Sequence, residues 1–394
     1  MTLLYQSRTT CLLCGASDLE HGYEASVYAG AAFGWVTARN VLCRACGFMF
    51  RNPMPETSSL REYYAGSSDA SGSVFHGDGE GSAHHSKQKK RAMYFLENGS
   101  PGSGAAILEV GCSSGEFFEF LPSVFRRYGI EPSPSSSATA SERGVKVLAP
   151  FFEDLDTGDR FDVVAAFSVL EHVRDPIEFL SRARSVAHDA SQLWLEVPNS
   201  LVPTVGASEY FGFEHLLHFT EESLRLAMNR TGWRLEAVDE TDAKRLRAIA
   251  SASAEDLTPT ASSNYHRMRA MIRDYREGRK ALIEAYAALS ADVQTAVSSG
   301  EKVAVWGAGV HTRAVLSVAP NLWHLVSVVV DSNPEKHGAD FEGLEIRKPS
   351  ELPELGVTHC IVSSRAFFEE ISARLQQVYA RSDVFVVALG LYLD

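Results

Sequence analysis

The sequence predicts an α/β protein with an N-terminal metal-binding module followed by two parallel-sheet domains. Three observations support this prediction: two Cys-x-x-Cys pairs, an alternation of apolar strands and amphipathic helices that begins near Ala105, and a restart of that alternation after Gly300. The 394 residues are enough for two or three domains. Apolar residues make up 45% of the chain and charged residues 22%, which is typical of a globular protein and not of a disordered one.

Four of the six cysteines form two close pairs, which are Cys11 with Cys14 and Cys43 with Cys46. Two such pairs separated by a loop are typical of a four-thiolate zinc knuckle, and a hairpin over residues 23–41 would fill the loop. Disulfides and a redox pair are the alternatives, but disulfides are rare in a reducing cytosol and a redox pair needs only one motif. Because all four ligands would be thiolates, we expect the zinc to be structural.

Composition and hydrophobic pattern divide the chain into five stretches. They are a zinc-binding module (1–64), a Gly/Ser-rich linker or lid with a helix (65–104), a central domain (105–264), a connecting helix (265–299) and a C-terminal α/β domain (300–394). The connecting helix has an apolar seam of heptad spacing, which fits either a homodimer or packing inside a monomer. His76, His84 and His85 lie in the Gly/Ser-rich stretch without acids at ligand spacing, so we expect them to be solvated or part of a lid.

The first strand of the central domain ends in Glu109-x-Gly111-x-x-x-Gly115 and is followed by a helix. Glycines at these positions let the backbone approach a ligand where a side chain would clash. Glu131 ends the second strand about twenty residues after Gly111, where an acid can accept hydrogen bonds from both ribose hydroxyls of an adenosine. The loop lacks the second phosphate-binding glycine turn of dinucleotide sites. The pattern therefore favours S-adenosylmethionine over NAD.

From about Ile107 to Val238 the sequence resembles the class I S-adenosylmethionine-dependent methyltransferases. Besides the glycine loop, the resemblance covers Phe161-Asp-Val-Val and Phe167-Ser-Val-Leu-Glu-His-Val173, which are similar to the fourth strand and the following turn of that family. It implies a central Rossmann-like methyltransferase domain that binds S-adenosylmethionine. It also implies contacts to the adenine from Phe152 and Glu153, and a cofactor pocket bordered by Phe167 and His172.

The order of a cysteine module, a methyltransferase domain and a second Rossmann-like domain resembles the three-domain nucleotide-sugar C-methyltransferases of deoxysugar biosynthesis. The resemblance implies methylation at carbon 3 of a nucleotide-linked 4-keto sugar, with an active-site tyrosine drawn from the region of Tyr63 and Tyr64. The family's catalytic segment is similar to Tyr-His-Glu-His-Leu. Glu214 and His215 match it, whereas Gly212 and Phe213 occupy its first two positions.

This departure makes Tyr210 the nearby candidate for the missing tyrosine, and it leaves an O- or N-methyltransferase acting on a sugar or another small metabolite as the alternative.

His215 is the preferred general base on chemical grounds. Methyl transfer from a sulfonium is an in-line displacement, so the enzyme must align the acceptor and remove its proton. An imidazole with an ordinary pKa of about 6.5 suits that task, and Glu214 could orient it or bind a sugar hydroxyl. The alternative is that Glu214 and His215 cap the helix that begins near Thr220. His218 is equally compatible with a catalytic and a structural role.

The C-terminal domain repeats the nucleotide-binding pattern in a weaker form. Its first strand ends in Gly307-x-Gly309, the third glycine position is Thr312, and Asp331 ends the next strand. The incomplete motif disfavours a bound dinucleotide. We expect His311 and Arg313, at the start of the following helix, to hold the phosphates of a nucleotide sugar. The alternative is a vestigial domain that only shapes the cleft.

The net charge of the chain limits the classes of partner that it can bind. It has 37 Lys and Arg against 50 Asp and Glu, a net charge of −13, which disfavours a nucleic-acid binder. An RNA or protein methyltransferase that used the cysteine module for recognition would have, between Cys11 and Asn52, only three arginines, Arg39, Arg44 and Arg51, and no lysine. No apolar run approaches a membrane span of about 18 residues, and the first ten residues lack a signal-peptide pattern. We therefore expect a cytoplasmic enzyme with a small-molecule substrate.

Overall fold

The structure is a computed structural model, and it describes residues 3–70, 83–99, 101–206, 210–239, 241–253, 264–364, 367–379 and 385–388. His76 and much of the predicted Gly/Ser-rich linker lie outside the described residues. Within the described residues, no helix has both the length and the apolar character needed to cross a lipid bilayer.

The strands alternate with helices from Ala106 onward, as the sequence pattern predicts. In chain order the strands are β1 (Tyr5–Gln6), β2 (Leu19–Tyr28), β3 (Trp35–Cys43), β4 (Met49–Arg51), β5 (Met54–Pro55), β6 (Ala106–Val110), β7 (Arg126–Ile130), β8 (Lys146–Ala149), β9 (Phe161–Phe167), β10 (Ala187–Pro198), β11 (Leu217–His218), β12 (Trp233–Asp239), β13 (Arg245–Ala252), β14 (Val303–Trp306), β15 (Val328–Val330), β16 (Asp340–Phe341), β17 (Leu344–Arg347), β18 (His359–Val362) and β19 (Phe385–Ala388).

The α-helices are, in the same order, α1 (Gly30–Phe33), α2 (Thr57–Ala70), α3 (Ala83–Asn98), α4 (Glu116–Glu119), α5 (Pro134–Glu142), α6 (Pro176–Ser185), α7 (Glu221–Asn229), α8 (Asn264–Ser298), α9 (Val310–Val318), α10 (Pro320–Trp323) and α11 (Phe368–Val378). Short 3₁₀ helices cover Phe152–Asp154, Leu170–His172, Pro334–Lys336 and Pro349–Glu351. Local sequence explains several starts: the Asp175 carboxylate accepts the N–H groups of Ile177 and Glu178 at α6, and a Thr220–Ser223 capping box begins α7.

The chain divides into two compact units, where the sequence pattern predicts three domains. The first unit comprises Met1–Ala25, Ala29–Pro203 and Phe213–Ile272, and the second comprises Ser26–Tyr28, Thr204–Gly212 and Arg273–Asp394. The cysteine module belongs to the first unit. Its four-stranded sheet has the order β11-β4-β3-β2, and β11 comes from the central domain, where it follows β10 along the chain. The predicted hairpin is present as the neighbouring strands β2 and β3.

The central sheet of the first unit has seven strands in the order β12-β13-β10-β9-β6-β7-β8. Strands β8, β7, β6, β9 and β10 are parallel, and β13 runs antiparallel between β10 and β12. Chain order reverses between β6 and β9, so the loops after these two strands open side by side. In a parallel α/β sheet such a reversal point, at the carboxyl ends of the strands, is where ligands bind.

One face of this sheet is covered by α3 and α4. Phe95 packs against Trp194 at 4.8 Å between ring centroids, and Phe117 packs against Phe167 at 5.1 Å. These side chains belong to a buried apolar cluster with Ile107 and Val163. Burial of this kind supplies most of the stabilising free energy of a domain, and it also places the aromatic start of α4 next to the glycine loop.

The second unit has a six-stranded sheet of order β16-β17-β15-β14-β18-β19, parallel except for β16. Its core joins Val303 and Val305 of β14 to α9 and to the apolar seam of α8. Part of the seam predicted from heptad spacing, Leu282, Tyr286, Leu289 and Val293, is therefore buried inside this unit. The predicted connecting helix thus contributes to the core of the C-terminal α/β domain.

We expect Leu289→Ala to destabilise the second unit by about 2 to 4 kcal/mol, because Leu289 is buried in its core. The matched control is Ile283→Ala on the same helix, whose side chain is 44% exposed and whose loss should change stability by less than about 0.5 kcal/mol. Chemical denaturation followed by circular dichroism measures both. Equal effects of the two substitutions would contradict this packing of α8.

Candidate active site

The loop after β6 is shaped by two glycines that side chains could not replace without strain. Gly111 has a φ of +73°, and a Cβ placed on it would lie 2.7 Å from Cγ2 of Val169. Gly115 has a φ of +80°, and its Cβ would lie 3.1 Å from Cγ2 of Val145. L-residues with side chains avoid such φ values. The loop at the carboxyl end of the sheet therefore needs glycine at these two positions to keep its conformation.

Glu131 closes the loop from the neighbouring strand end. Its carboxylate accepts hydrogen bonds from the backbone N–H groups of Ser113 and Ser133, each at 2.8 Å. Burial raises the pKa of Glu131, and these two donors offset part of the rise. Glu109, within β6, is fully buried, and burial raises its pKa well above the ordinary value. An acid held at this strand end is in the position expected for a ribose contact.

The other predicted cofactor contacts follow the next strand ends. Phe152 lies in the 3₁₀ helix after β8 and packs on Phe179 at 5.1 Å, while Glu153 beside it is exposed. Phe167 ends β9, with the Arg91 guanidinium 5.1 Å from its ring centroid. The glycine loop, Glu131 and Phe152 thus follow three adjacent parallel strands at the same edge of the sheet. This arrangement fits an adenosine-containing ligand.

A cationic cluster that the sequence analysis did not single out lies at the ends of β9 and β10. The buried carboxylate of Glu196 is 2.5 Å from Arg91, 3.2 Å from Arg245 and 2.7 Å from Arg247, with Lys87 at 3.6 Å. Burial lowers the pKa of Lys87 to about 8, while the surrounding cations lower the pKa of Glu196. In the sequence, the only indication of this cluster is the run of basic residues in α3.

Four residues predicted from separate segments converge beside the turn after β9. The Tyr63 hydroxyl donates to Oε1 of Glu214 at 2.9 Å, and the Tyr64 hydroxyl lies 3.2 Å from Nδ1 of His172. The same Nδ1 is 3.8 Å from Oε2 of Glu214. Two tyrosines of α2, the histidine of the 3₁₀ helix and the acid of the 213–216 segment therefore form one network of two hydrogen bonds joined by an ion-pair contact.

The charges of this network are set by burial and by close pairing. Burial and the Glu214 carboxylate both raise the pKa of Tyr63, and burial raises that of Tyr64, so both phenols stay protonated. Burial disfavours a charged His172, but its attraction to Glu171, with Nε2 and Oε1 3.6 Å apart, outweighs that effect and raises the pKa of His172. The same pairing lowers the pKa of Glu171. The site therefore combines neutral donors with an ion pair.

His215 lies in the same network. Its ring centroid is 5.3 Å from that of His172, and its carbonyl oxygen accepts from Nη2 of Arg51 at 3.3 Å. The next residue, Leu216, donates its N–H to the Glu171 carbonyl at 2.8 Å. Thr220 itself makes the capping box of α7 with Ser223, so Glu214 and His215 are not its caps.

Two further catalytic candidates have different surroundings. His218 lies in β11 and is 2% exposed, with Nε2 3.0 Å from Oδ1 of Asn40, and burial lowers its pKa well below the ordinary value. These surroundings favour a structural role for His218 over a catalytic one. Tyr210 is grouped with the second unit, where its N–H donates to the Tyr275 hydroxyl at 3.0 Å.

The predicted phosphate ligands of the C-terminal domain are engaged with neighbouring protein groups. Arg313 pairs with Glu342 at 2.8 Å, and its guanidinium lies 4.7 Å from the Phe341 ring centroid. Nδ1 of His311 lies 2.9 Å from the Ser363 hydroxyl. The Asp331 carboxylate accepts from the N–H of Ala308 at 2.9 Å, so it closes the glycine loop of its own domain.

The structure also changes the interpretation of two linker histidines. The sequence predicts His84 and His85 to be solvated or part of a lid, and in the structure both are partly buried on α3. Nε2 of His84 is 3.6 Å and Nδ1 of His85 is 4.0 Å from the carboxylate of Glu116, the residue after Gly115. The pairing acid is far away in sequence, so ligand spacing along the chain did not reveal it.

The four paired cysteines come together in the first unit. Sγ of Cys11 is 3.6 Å from that of Cys46, and Sγ of Cys14 is 3.5 Å from that of Cys43, with all four sulfurs within 4.8 Å of one another. Four thiolates bound at about 2.3 Å in a tetrahedron would lie roughly 3.8 Å apart. The cluster therefore has the dimensions of a four-thiolate metal site.

Comparison with known proteins assigns the central part of the chain. Residues 84–238 match the family model described as a methyltransferase domain. These residues form a methyltransferase domain of the S-adenosylmethionine-dependent class. The domain contains the glycine loop, Glu131 and the turn that carries His172. Residues 299–383 match a second model, described as C2185-like, N-terminal.

Curated relatives match part of the chain. A ubiquinone biosynthesis O-methyltransferase of Azorhizobium caulinodans is 32% identical over 127 residues, which covers 30% of this chain and 50% of that protein. Its counterpart from Bradyrhizobium sp. is 35% identical over 91 residues, covering 21% of this chain and 36% of that protein. The chain therefore spans half or less of these relatives' length. The solved magnesium protoporphyrin IX methyltransferase of Synechocystis PCC 6803 aligns with a TM-score of 0.39 and 15% identity, covering 50% of this chain and 100% of that one.

We expect Gly111→Ala to weaken binding of S-adenosylmethionine about tenfold, because a Cβ at a φ of +73° costs about 1 to 2 kcal/mol and collides with Val169. The matched control is Gly158→Ala, whose added Cβ meets nothing within 4 Å and which should bind the cofactor normally. Isothermal titration calorimetry measures both affinities. Unchanged binding by Gly111→Ala would remove this loop from the cofactor site.

Proposed function

We propose that the protein transfers the methyl group of S-adenosylmethionine to a small molecule, with a carbon of a nucleotide-linked keto or deoxy sugar as the preferred acceptor. The observation that carries the proposal is the convergence of Tyr63, Tyr64, His172, Glu214 and His215 into one network. This network lies at the turn directly after β9, the strand beside the glycine loop. A proton acceptor and several hydrogen-bond donors are thus available next to a cofactor loop.

The cofactor would be held by residues from the ends of β6, β7 and β8. The Gly111–Gly115 loop would hold the methionine part. Glu131 would accept hydrogen bonds from the ribose hydroxyls, and Phe152 would lie against the adenine. When bound, S-adenosylmethionine supplies an electrophilic methyl group on a sulfonium. The protein's own task is then to orient the acceptor and remove its proton.

His215 would act as the general base. Its backbone is fixed on both sides, by Arg51 at its carbonyl and by the Leu216 N–H bond to Glu171. For a keto sugar, the imidazole would remove the proton from the carbon next to the ketone. The negative charge that develops on the ketone oxygen would be stabilised by protonated neighbours, for which the Tyr64 hydroxyl and a protonated His172 are the candidates.

O-methylation is the second candidate. It is favoured by the curated relatives, which are ubiquinone biosynthesis O-methyltransferases, and by Gly212 and Phe213 at the positions where the sugar C-methyltransferases carry tyrosine and histidine. The same His215 would deprotonate a hydroxyl group. No enolate would form, so the donors near the ketone oxygen would not be required.

We further propose that the cysteine cluster holds a structural zinc ion. The sheet of this module carries Asn40 and Arg51, and Oδ1 of Asn40 lies 3.3 Å from Nε of Arg51 and 3.0 Å from Nε2 of His218. Arg51 in turn holds the His215 carbonyl. A zinc ion that stiffens this module would therefore support the segment that contains the base.

For the C-terminal domain we propose a role in binding the nucleotide part of the substrate through His311 and Ser363. Their contact lies at the carboxyl ends of β14 and β18, where chain order in the second sheet reverses. Because Arg313 is paired with Glu342, it would contribute only after that ion pair opens. A purely architectural role is the alternative.

We expect His215→Ala to lower turnover by about 10² to 10⁴ and to leave the affinity for S-adenosylmethionine unchanged, because the base acts on the acceptor. The matched control is His188→Ala, an exposed histidine at the start of β10, which should keep full turnover. Methyl transfer is followed with labelled cofactor on nucleotide-linked 4-keto sugars and on phenolic acceptors. Full turnover in His215→Ala would exclude it as the base.

Solvent deuterium separates the two candidate acceptors. A C-methyltransferase should exchange deuterium into the substrate carbon in the absence of cofactor, and His215→Ala should abolish that exchange. Methylation of a hydroxyl needs no such exchange. Product formed without exchange would favour the O-methyltransferase, whereas no transfer to any acceptor would contradict the proposal as a whole.

We expect Cys43→Ser to remove about one equivalent of zinc per chain and to lower the thermal unfolding temperature, because structural zinc binding is folding free energy, on the order of 10 kcal/mol in small zinc domains. The matched control is Cys360→Ala, a buried cysteine of the second unit, which should retain that zinc. Elemental analysis and calorimetry measure the two quantities. Equal zinc content in both variants would contradict the assignment.

A further inference from the structure

A second group of side chains that could bind a metal ion lies in the network around His172 and Glu214, away from the cysteine cluster. One ligand atom from each of Glu171, His172 and His215 lies within 4.8 Å of the others. Nε2 of His172 and Oε1 of Glu171 are 3.6 Å apart. Donor atoms bound at about 2.1 Å around a tetrahedral ion lie roughly 3.4 Å from one another. The three side chains therefore need only small adjustments to hold one ion.

The carboxylate of Glu171 adds an independent observation. The residue is 2% exposed, and its Oε2 has no hydrogen-bond partner among the described residues. A buried, ionised carboxylate with an unsatisfied oxygen costs free energy unless a cation or a donor meets it. His172 and His215 each offer a ring nitrogen within 4.8 Å of a Glu171 carboxylate oxygen, and an ion held among the three groups would supply the carboxylate with the cation it lacks.

The neighbours of His172 contact its Nδ1, so Nε2 is the nitrogen that faces Glu171 and could bind an ion. Its Nδ1 is 3.2 Å from the Tyr64 hydroxyl and 3.8 Å from the Glu214 carboxylate. Metal-bound histidines usually have their other ring nitrogen held in this way by an oxygen group, which fixes the ring and its tautomer. The contacts of Nδ1 therefore direct Nε2 toward Glu171 and the candidate ion.

We propose that Glu171, His172 and His215 bind one divalent transition-metal ion, such as Zn²⁺, and that the bound ion prevents His215 from acting as the base. Two imidazoles and one carboxylate are a donor set that zinc uses in proteins, with a fourth position left for water or a substrate oxygen. A nitrogen lone pair that is donated to a metal cannot also accept a proton. Metal binding at this site is thus an inhibitory state of the enzyme.

Metal stoichiometry tests the site itself. Metal-free full-length protein is titrated with Co²⁺, and bound metal per chain is counted after dialysis. We expect two equivalents, one with the thiolate-to-cobalt charge-transfer absorption of the cysteine cluster and one without it. Glu171→Gln and His172→Ala should each lose only the second equivalent, and Cys43→Ser only the first. His188→Ala, the exposed-histidine control, should keep both.

Binding of a single equivalent in the cysteine cluster would overturn the proposed site, and so would two equivalents in both Glu171→Gln and His172→Ala. The near-ultraviolet circular dichroism of each variant identifies any that has failed to fold. In that case His215→Ala, whose histidine is more exposed than Glu171, decides the same question.

The inhibitory effect rests on the proposed function and is tested separately. Adding Zn²⁺ to protein that already holds zinc in its cysteine cluster should lower methyl transfer at least tenfold, and a chelator should restore it while the first zinc stays bound. A second equivalent that leaves turnover unchanged or raises it would overturn the competition at His215. Because metal counting needs no substrate, a failure to find methyl transfer would contradict the proposed function and leave the stoichiometry as the test of the site.

Discussion

The segment from Phe213 to His218 is held from two sides, and the candidate active site depends on both attachments. At its end, β11 pairs with β4, with Leu217 opposite Phe50 and His218 opposite Met49. In its middle, the Leu216 N–H donates to the carbonyl of Glu171 in the turn after β9. Backbone hydrogen bonds of this kind are obligatory for buried chain and tolerate little displacement. His215 therefore lies between a strand of the cysteine module and the edge of the central sheet.

The same edge of the sheet carries three buried carboxyl groups in three different electrostatic environments. Cations surround Glu196 and lower its pKa, whereas burial dominates at Glu109 and raises its pKa. Glu171 lies between these cases, since its pairing with His172 lowers its pKa although it is fully buried. Neighbouring acids of such different character are typical of functional sites and not of a structural core. Their positions agree with ligand binding at the carboxyl ends of the parallel strands.

Local patterns in the sequence were sufficient to predict the strands, the glycine loop and the cysteine pairs. An apolar strand that ends in glycines, or two cysteines on one knuckle, needs only a few adjacent residues to be recognised. The contact between Tyr63 and Glu214 joins residues 151 positions apart, so no local pattern could reveal it. The family resemblance suggested the region of Tyr63, and the fold then supplied its partner.

Proximity along the chain does not determine which groups a residue contacts. Tyr210 is five positions before His215, yet it belongs to the second unit. His218 follows three positions after His215, yet β-pairing buries it against Asn40. Arg313 starts a helix as predicted, but the loop between β16 and β17 provides Glu342 as its partner. In each case the residue has a contact from a distant segment, and only the fold brings those segments together.

The two groups of residues that we propose as metal ligands in the first unit differ in what they can do. Four thiolates leave no open position on a tetrahedral ion, so the cysteine cluster is suited to stiffening the sheet that carries Asn40 and Arg51. Two imidazoles and a carboxylate leave one position open, in the middle of the residues proposed for catalysis. Arg51 connects the two, because it reaches from the cysteine-module sheet to the His215 carbonyl. A metal in the first group would favour the arrangement that places His215 for proton removal, whereas a metal in the second would occupy the nitrogen that removes it.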